Sequence, residues 1–264
     1  MYPELHLGPL TIQTFGLCFA LAFVAAGALV WKRFGELGKP PDWGYEMGFA
    51  ALLGGLIGSR VYFLAQNYSE VKDDLLGHIF SGSGLVWYGG AIGGALFVIA
   101  WAWWRDFLNL TLLDVAAPAL ALGYALGRCG CQLSGDGDYG KPWNGPWAMA
   151  YPNGTEPTKV TVQPTPVYET LAMGLGAWIL WRLRDRVRAG CLFALYLMYA
   201  GTERFLVEFL RRNTTDSVGL TTAQLESLAM MAAGAVWVAI VVRRHGGIGR
   251  PSSDESREAF QPAA

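Results

Sequence analysis

Residues 123–140 read GYALGRCGCQLSGDGDYG. The stretch starts as an apolar helix and meets Arg128 before the hydrophobic run has ended. It then breaks into a polar loop punctuated by Gly135, Gly137 and Gly140. An arginine inside a membrane span is costly and is read as functional by default. The loop after it holds Ser134, Asp136 and Asp138, and its glycines let the backbone turn tightly. The rest of the chain reads as a cage around this segment.

The composition fits a membrane protein: 53% of residues are hydrophobic, only 16% are charged, and there are 34 Gly and 11 Trp. A soluble chain would carry about 25% charged residues. A net charge of −1 argues against a nucleic-acid partner. Cys18, Cys129, Cys131 and Cys191 all sit in apolar context and read as buried free thiols. A CxC pair without histidines nearby is a weak metal signal, so no metal is expected. MYPELHLGP has no Lys or Arg before the first apolar run, so the start is not expected to be a secretory signal peptide.

Seven apolar segments have the length a bilayer core requires, at 10–31, 45–65, 86–104, 112–133, 166–183, 189–209 and 221–243. The expected fold is all-α, a polytopic membrane protein with seven transmembrane helices. Residues 1–245 form one transmembrane domain with long loops at 66–85 and 134–165. Residues 246–264 form a disordered tail rich in Gly, Pro and Ser. Lys and Arg set the orientation. With the N-terminus outside, the inner loops and tail hold twelve and the outer loops five. The reading is therefore N-out and C-in, with both long loops periplasmic.

The three remaining basic residues, Arg60, Arg128 and Arg204, lie inside spans about five residues from the outward end. At 1.5 Å per residue they share one depth, about 8 Å below the outer surface. Tyr88, Tyr168, Glu169, Glu208, Gln224 and Glu226 fall at the same end of their spans. Asp114 is the exception, read as a charge in the first turn of its own helix. Guanidinium groups match phosphate bidentately. The expectation is an outward-facing polar cavity that binds a phospholipid headgroup. In ERFLVEFLRR, Arg204 and Glu208 are i,i+4, and Arg211 or Arg212 continues that face. The glycines of GGLIGS (54–59) and GGAIGG (89–94) permit close helix packing. Gly89 and Gly90, directly after Tyr88, can also bring backbone close to a ligand.

These pieces, in this order, resemble the prolipoprotein diacylglyceryl transferases of bacteria. The likeness runs from about Gly8 to Arg243 and rests on GPLTIQTFGL, GSRVYF, YGGAIGG, DVAAPALALGYALGRCGCQLSGDGDYG, PWAMAYP, PTPVYE, ERFLVEFLR and TTAQLESL. The resemblance implies a multi-pass enzyme of the bacterial cytoplasmic (inner) membrane that needs no cofactor. Its implied partners are phosphatidylglycerol, other membrane lipids, and a preprolipoprotein signal peptide with its lipobox cysteine. The thiol attacks the diacylglyceryl moiety, a thioether forms, and glycerol phosphate leaves. On this reading Arg128 and Arg204 hold the phosphate and Glu208 orients Arg204. Asp136 is a catalytic carboxylate, and with Ser134 it positions the glycerol or the peptide. Arg60, Tyr88, Gly89, Gly90, Gly140, Tyr168 and Glu169 complete the substrate site.

The chain departs from the family pattern at several of these positions. Tyr88 stands where a histidine is usual, Phe15 where a tyrosine is usual, and Cys131 and Ser134 where asparagines are common. Asp136 replaces a glutamate, with one extra loop residue. His6, His78 and His245 match no such position. Three readings of the proton transfer stay open. Asp136, Asp138 or Glu169 takes the thiol proton, or the thiol ionises in the field of the arginines, or the protein binds lipid or lipoprotein without catalysis. A transferase with a different acceptor is a further alternative.

Overall fold

The computed structural model describes residues 1–8, 10–68, 86–215 and 219–250. Most of the expected 66–85 loop, and the expected tail from 251 onward, lie outside the described residues. Among the described residues, seven helices run α1 Thr14–Glu36, α2 Trp43–Gln66, α3 Trp87–Trp104, α4 Leu110–Ser134, α5 Thr165–Leu183, α6 Cys191–Glu208 and α7 Thr222–His245. From α2 to α7 they follow the apolar segments within two residues at either end.

The architecture is mostly helical, and two small antiparallel hairpins correct the all-α expectation. One pairs β1 (Glu4–Leu7) with β2 (Leu10–Gln13), and the other pairs β3 (Met149–Tyr151) with β4 (Thr158–Val162). The first hairpin turns at Gly8, whose φ of 65° is open to glycine at little cost. It uses residues expected in the first span, so α1 starts at Thr14 rather than at 10. The second hairpin turns the 134–165 loop into a folded element. Tyr139 stacks on Tyr151 with ring centroids 4.7 Å apart, and the Tyr151 hydroxyl donates to Gln132 at 2.9 Å.

Four of the seven helices, α1, α2, α4 and α7, are long and apolar enough to cross a membrane. The others fall short for chemical reasons. Four Trp and four Gly lower the hydropathy of α3. Helices α5 and α6 carry ionisable residues that build the site described below.

The chain forms two compact units, Gly27–Leu112 and, separately, Met1–Ala26 with the chain from Leu113 onward. In the smaller unit α2 and α3 interlock through glycine. A Cβ added to Gly93 would fall 2.7 Å from the Gly58 Cα, whereas one on Gly90 would meet nothing closer than 3.5 Å. Ser59 Oγ donates to the Val86 carbonyl at 2.9 Å and ties α2 to the start of α3. Phe34, Trp43, Trp101 and Phe107 pack ring against ring. Glu46 accepts from Trp101 Nε1 and Arg105 Nε, each at 2.8 Å.

In the larger unit, Ala117, Ala121 and Ala125 form an i,i+4 row on α4. They share a core with Met173, Ala177 and Leu180 of α5 and Cys191, Leu192 and Ala200 of α6. Helices α6 and α7 meet through small residues: a Cβ on Gly201 would lie 2.8 Å from the Ser227 carbonyl. Helix α7 opens with a capping box. Thr221 Oγ1 accepts from Gln224 N at 3.2 Å, and Gln224 Oε1 accepts from Thr221 N at 3.0 Å.

Asp114 is not spent on its own helix, as its position near the start of α4 suggests. Its carboxylate accepts the Gly190 and Phe193 amides, at 2.7 and 3.0 Å, at the N-terminus of α6. The dipole argument holds, but for a neighbouring helix. The α4 start is held by Asn109, whose Oδ1 accepts from Thr111 N at 2.9 Å.

The glycine interlock gives a test. Gly93→Ala should lower stability by about 1–3 kcal/mol through overpacking. Gly27→Ala, with nothing within 4 Å, should be neutral or stabilising by up to about 1 kcal/mol. Thermal unfolding in detergent reads both.

Candidate functional site

Helical spacing places Tyr124, Arg128 and Cys131 on one face of α4, at i, i+4 and i+7. Glu169 sits one turn into α5, and Arg204 and Glu208 lie in the last turns of α6, with Arg211 just beyond. Gly135 and Gly137, at φ 62° and 93°, turn the chain after α4 so that Asp138 comes back toward Arg128. Asp136 Oδ1 accepts the Asp138 amide at 3.3 Å and braces that turn.

Glu169 is the hub of this arrangement, and its side chain is 0% exposed. Its Oε2 lies 2.8 Å from Arg128 Nε. Its Oε1 accepts from Arg204 Nη1 and from the Tyr124 hydroxyl, both at 3.2 Å, with Arg211 Nη1 at 3.6 Å. Arg204 Nη2 lies 2.8 Å from Glu208 Oε2, and Glu208 Oε1 accepts from Asn213 at 2.6 Å. Asp138 pairs with Arg128 through one oxygen and with Arg211 through the other. Three guanidinium groups and three carboxylates therefore alternate. Removing one member of a buried pair leaves a charge uncompensated, at about 3–5 kcal/mol.

Arg211 is the member with spare capacity. Its side chain is 9% exposed, yet Nε and Nη1 make no hydrogen bond. They lie 3.7 Å from Glu208 and 3.6 Å from Glu169, within ion-pair range but too far for hydrogen bonding. A cavity of about 410 Å³ opens beside it, lined by Gly137, Asp138, Tyr139, Arg211, Arg212 and Asn213. Arg212 donates to the Gly137 carbonyl at 3.2 Å and lies 4.3 Å over the Tyr139 ring. This lining carries two guanidinium groups, a type of side chain that bonds phosphate or carboxylate oxygens strongly.

Burial alone raises the affinity of Asp138 for a proton. Arg128 and Arg211 outweigh it and hold the carboxyl below its ordinary value. The stability these pairs supply is therefore present above about pH 4 and is lost as pH falls through the depressed value. Cys131 Sγ, 3.6 Å from Asp138 and 3.7 Å from Arg128, sits against the same pair. Cys131, Asp136 and Asp138 bring potential metal-ligand atoms within 4.8 Å of one another. Both Asp138 oxygens are engaged by arginine, however, and two adjacent guanidinium groups repel a cation.

The structure brings Arg128, Glu169, Arg204 and Glu208 into one network. It places the other expected site residues elsewhere or in other roles. Asp136 braces the loop and makes no ion pair among the described residues. Ser134 Oγ donates back to the Gly130 carbonyl at 2.8 Å, inside its own helix. Gly140 is a packing joint: its amide donates to Gln163 O, and a Cβ there would lie 2.9 Å from Gln163 Cβ. The Tyr168 hydroxyl donates to Gln163 at 2.7 Å and accepts from Trp147 at 2.6 Å. Arg60, Tyr88, Gly89 and Gly90 belong to the smaller unit. There Arg60 lies 5.4 Å over Phe63, Tyr88 meets Trp87 edge-on, and Gly89 packs on Gly58 and Tyr62.

Tyr124 and Arg211 join the network without having been assigned a site role from sequence, and Asp138, read there only as one of three candidate bases, joins it through Arg128 and Arg211. Tyr124 is i−4 from Arg128, and Arg211 is i+7 from Arg204, so helical spacing carried both signals. For Asp138 the only sequence signal was membership of the same glycine-rich loop as Asp136.

A mostly helical protein with four helices long and apolar enough to cross a membrane, and a buried lattice of guanidinium and carboxylate groups between its helices, fits the class of membrane proteins. The family model described as prolipoprotein diacylglyceryl transferase matches residues 4–240, and the chain belongs to that family. It is 32% identical over 224 residues to the phosphatidylglycerol–prolipoprotein diacylglyceryl transferase of Clostridium tetani, covering 83% of this chain and 89% of that protein. The like-named proteins of Leptospira interrogans and Methylobacillus flagellatus are 30% and 29% identical. They cover 76% and 91% of this chain, and 72% and 95% of their own lengths.

Asp138→Asn tests the network. It should cost about 3 kcal/mol of stability, because Arg128 and Arg211 both lose a partner that is only 32% exposed. The wild type should show the same loss as pH drops below about 4. Thermal unfolding against pH measures both.

Proposed function

We propose that this protein is a phosphatidylglycerol–prolipoprotein diacylglyceryl transferase. It moves the diacylglyceryl group of phosphatidylglycerol to the lipobox cysteine thiol of a preprolipoprotein. A thioether forms and glycerol phosphate is released. The observation that carries this reading is the three-arginine network, with Arg211 and Arg212 lining a cavity of about 410 Å³ beside it.

The chemistry asks for such a network. The substrate phosphate is a diester with one negative charge. As the carbon–oxygen bond to the diacylglyceryl group breaks, a second negative charge develops on that phosphate. Groups that bind the more charged state better accelerate the step. Arg211 and Arg212 line the cavity and bring positive charge to the developing anion. Arg128 and Arg204 are held in place by Glu169, and Arg204 by Glu208 as well, so little reorganisation accompanies the reaction. The cysteine attacks as its thiolate, in line with the departing oxygen. Asp136, Ser134, Gly140 and Tyr168 shape the loop that carries Asp138.

The same reading takes all seven helices as spans of one inner-membrane domain, residues 1–245. The N-terminus lies outside, and the network is near the outer face. Twelve Lys and Arg on the inner side against five on the outer support that orientation. In α5 and α6 the site's own charge lowers the apolar signal, and a folded network of pairs makes such charge tolerable in a span.

The test is complementation of a bacterial strain depleted of its own transferase, with lipoprotein modification read as a mass shift. The wild type should restore modification. Arg128→Lys should insert but lose most of it, since an ammonium cannot reproduce the planar fork at a phosphate. Near-normal modification by Arg128→Lys, or none by the wild type, would contradict the reading. For topology, in a background without reactive native thiols, a cysteine at position 157 should label with an impermeant reagent in intact cells. One at position 185 should not.

A further inference from the structure

Glu203 stands in the network's field but outside its bonds. It lies on α6 directly before Arg204, and its side chain is half-buried. Its electrostatic neighbours are Arg128 of α4, Glu169 of α5, Arg204 of its own helix and Arg211 beyond it. Tyr124 of α4 and Tyr199 of α6 also feel its charge. Among the described residues Glu203 makes no hydrogen bond and no ion pair.

The other carboxylates of the network differ in this respect. Asp138 pairs both oxygens with arginine, Glu169 pairs with Arg128 and Arg204 and accepts from Tyr124, and Glu208 pairs with Arg204 and accepts from Asn213. A carboxylate bonded in that way has little lone-pair capacity left for a proton. No histidine takes the role among the described residues of this unit: His6 lies on β1 against Thr11, and His245 ends α7. An unbonded, half-buried carboxylate is costly, and an ionisable residue within a span is read as functional by default.

We propose that Glu203 is the general base of the transfer reaction. The proposal rests on the transferase reading above. The acceptor cysteine gives its S–H proton to the Glu203 carboxylate. The resulting thiolate forms the new carbon–sulfur bond to the diacylglyceryl group. The carbon–oxygen bond to phosphate breaks with its electron pair on the phosphate oxygen. Glu203 then returns the proton to the departing glycerol phosphate or to solvent. Arg128, Arg204 and Arg211 stabilise the phosphate, while Glu203 handles the proton beside them.

The test uses full-length purified protein in detergent, phosphatidylglycerol and a lipobox-type cysteine peptide, with kcat and KM measured from pH 6 to about pH 10. Glu203→Gln should lower kcat about 10²–10⁴-fold near neutrality. KM for phosphatidylglycerol should stay within about two-fold and the melting temperature should stay near wild type. The deficit should shrink as pH rises past about 8.5, where the thiol ionises unaided. Glu203→Asp, which keeps a carboxylate, should recover part of the rate. A rate within about three-fold of wild type for Glu203→Gln would overturn the proposal. So would a deficit that is equal at every pH, or one carried by KM. A wild type without turnover would overturn the transferase reading and this proposal together. A working wild type with an unaffected Glu203→Gln removes only Glu203.

Discussion

Everything in the larger unit depends on one carboxylate. Glu169 has no solvent exposure and sits within 3.6 Å of guanidinium nitrogens from three arginines, donated by α4, by α6 and by the chain just after α6. Three like charges cannot gather in a buried space without a compensating anion. Glu169 supplies it from α5, Glu208 from α6 and Asp138 from the loop. The network is thus both the candidate site and a clamp joining three helices at one end of the unit.

That double duty explains the local sequence. The glycines at 135 and 137 exist so that Asp138 can return to Arg128. The alanine row on α4 and the glycines facing α7 bring helices close without help from hydrophobic driving force, which lipid does not provide. Packing by small residues fixes the backbones, and the charged pairs then fix the rotamers. The arginines are thereby held in place by their carboxylate partners before any ligand arrives.

Much of this was legible in the sequence, for identifiable reasons. Apolar runs marked α2 to α7 within two residues at either end, although only four of the described helices are long and apolar enough to cross a membrane. Arg128, Arg204, Glu169 and Glu208 were legible because charge within such runs is rare. Asp138 was not separable from Asp136: both lie in one loop, and which reaches the arginines depends on two glycine dihedrals. The partner of Asp114 was hidden because an N-terminal charge on one helix can serve the N-terminus of another. The two hairpins were missed because strands of three to five residues leave little periodic signal. Cys131 shows the limit of pattern matching: its thiol touches Asp138 and Arg128, yet spacing alone assigned it only to an apolar face.

The most direct measurement on the account is the melting temperature of Glu169→Gln in detergent, with and without glycerol phosphate. Loss of the shared anion should lower the melting temperature steeply, by an amount equivalent to about 3–5 kcal/mol. Millimolar glycerol phosphate should restore part of it, because a phosphate dianion can stand in for the lost charge among the arginines. An unchanged melting temperature, or a fall that phosphate leaves untouched while chloride at equal ionic strength acts as well, would contradict the claim that Glu169 organises a phosphate site.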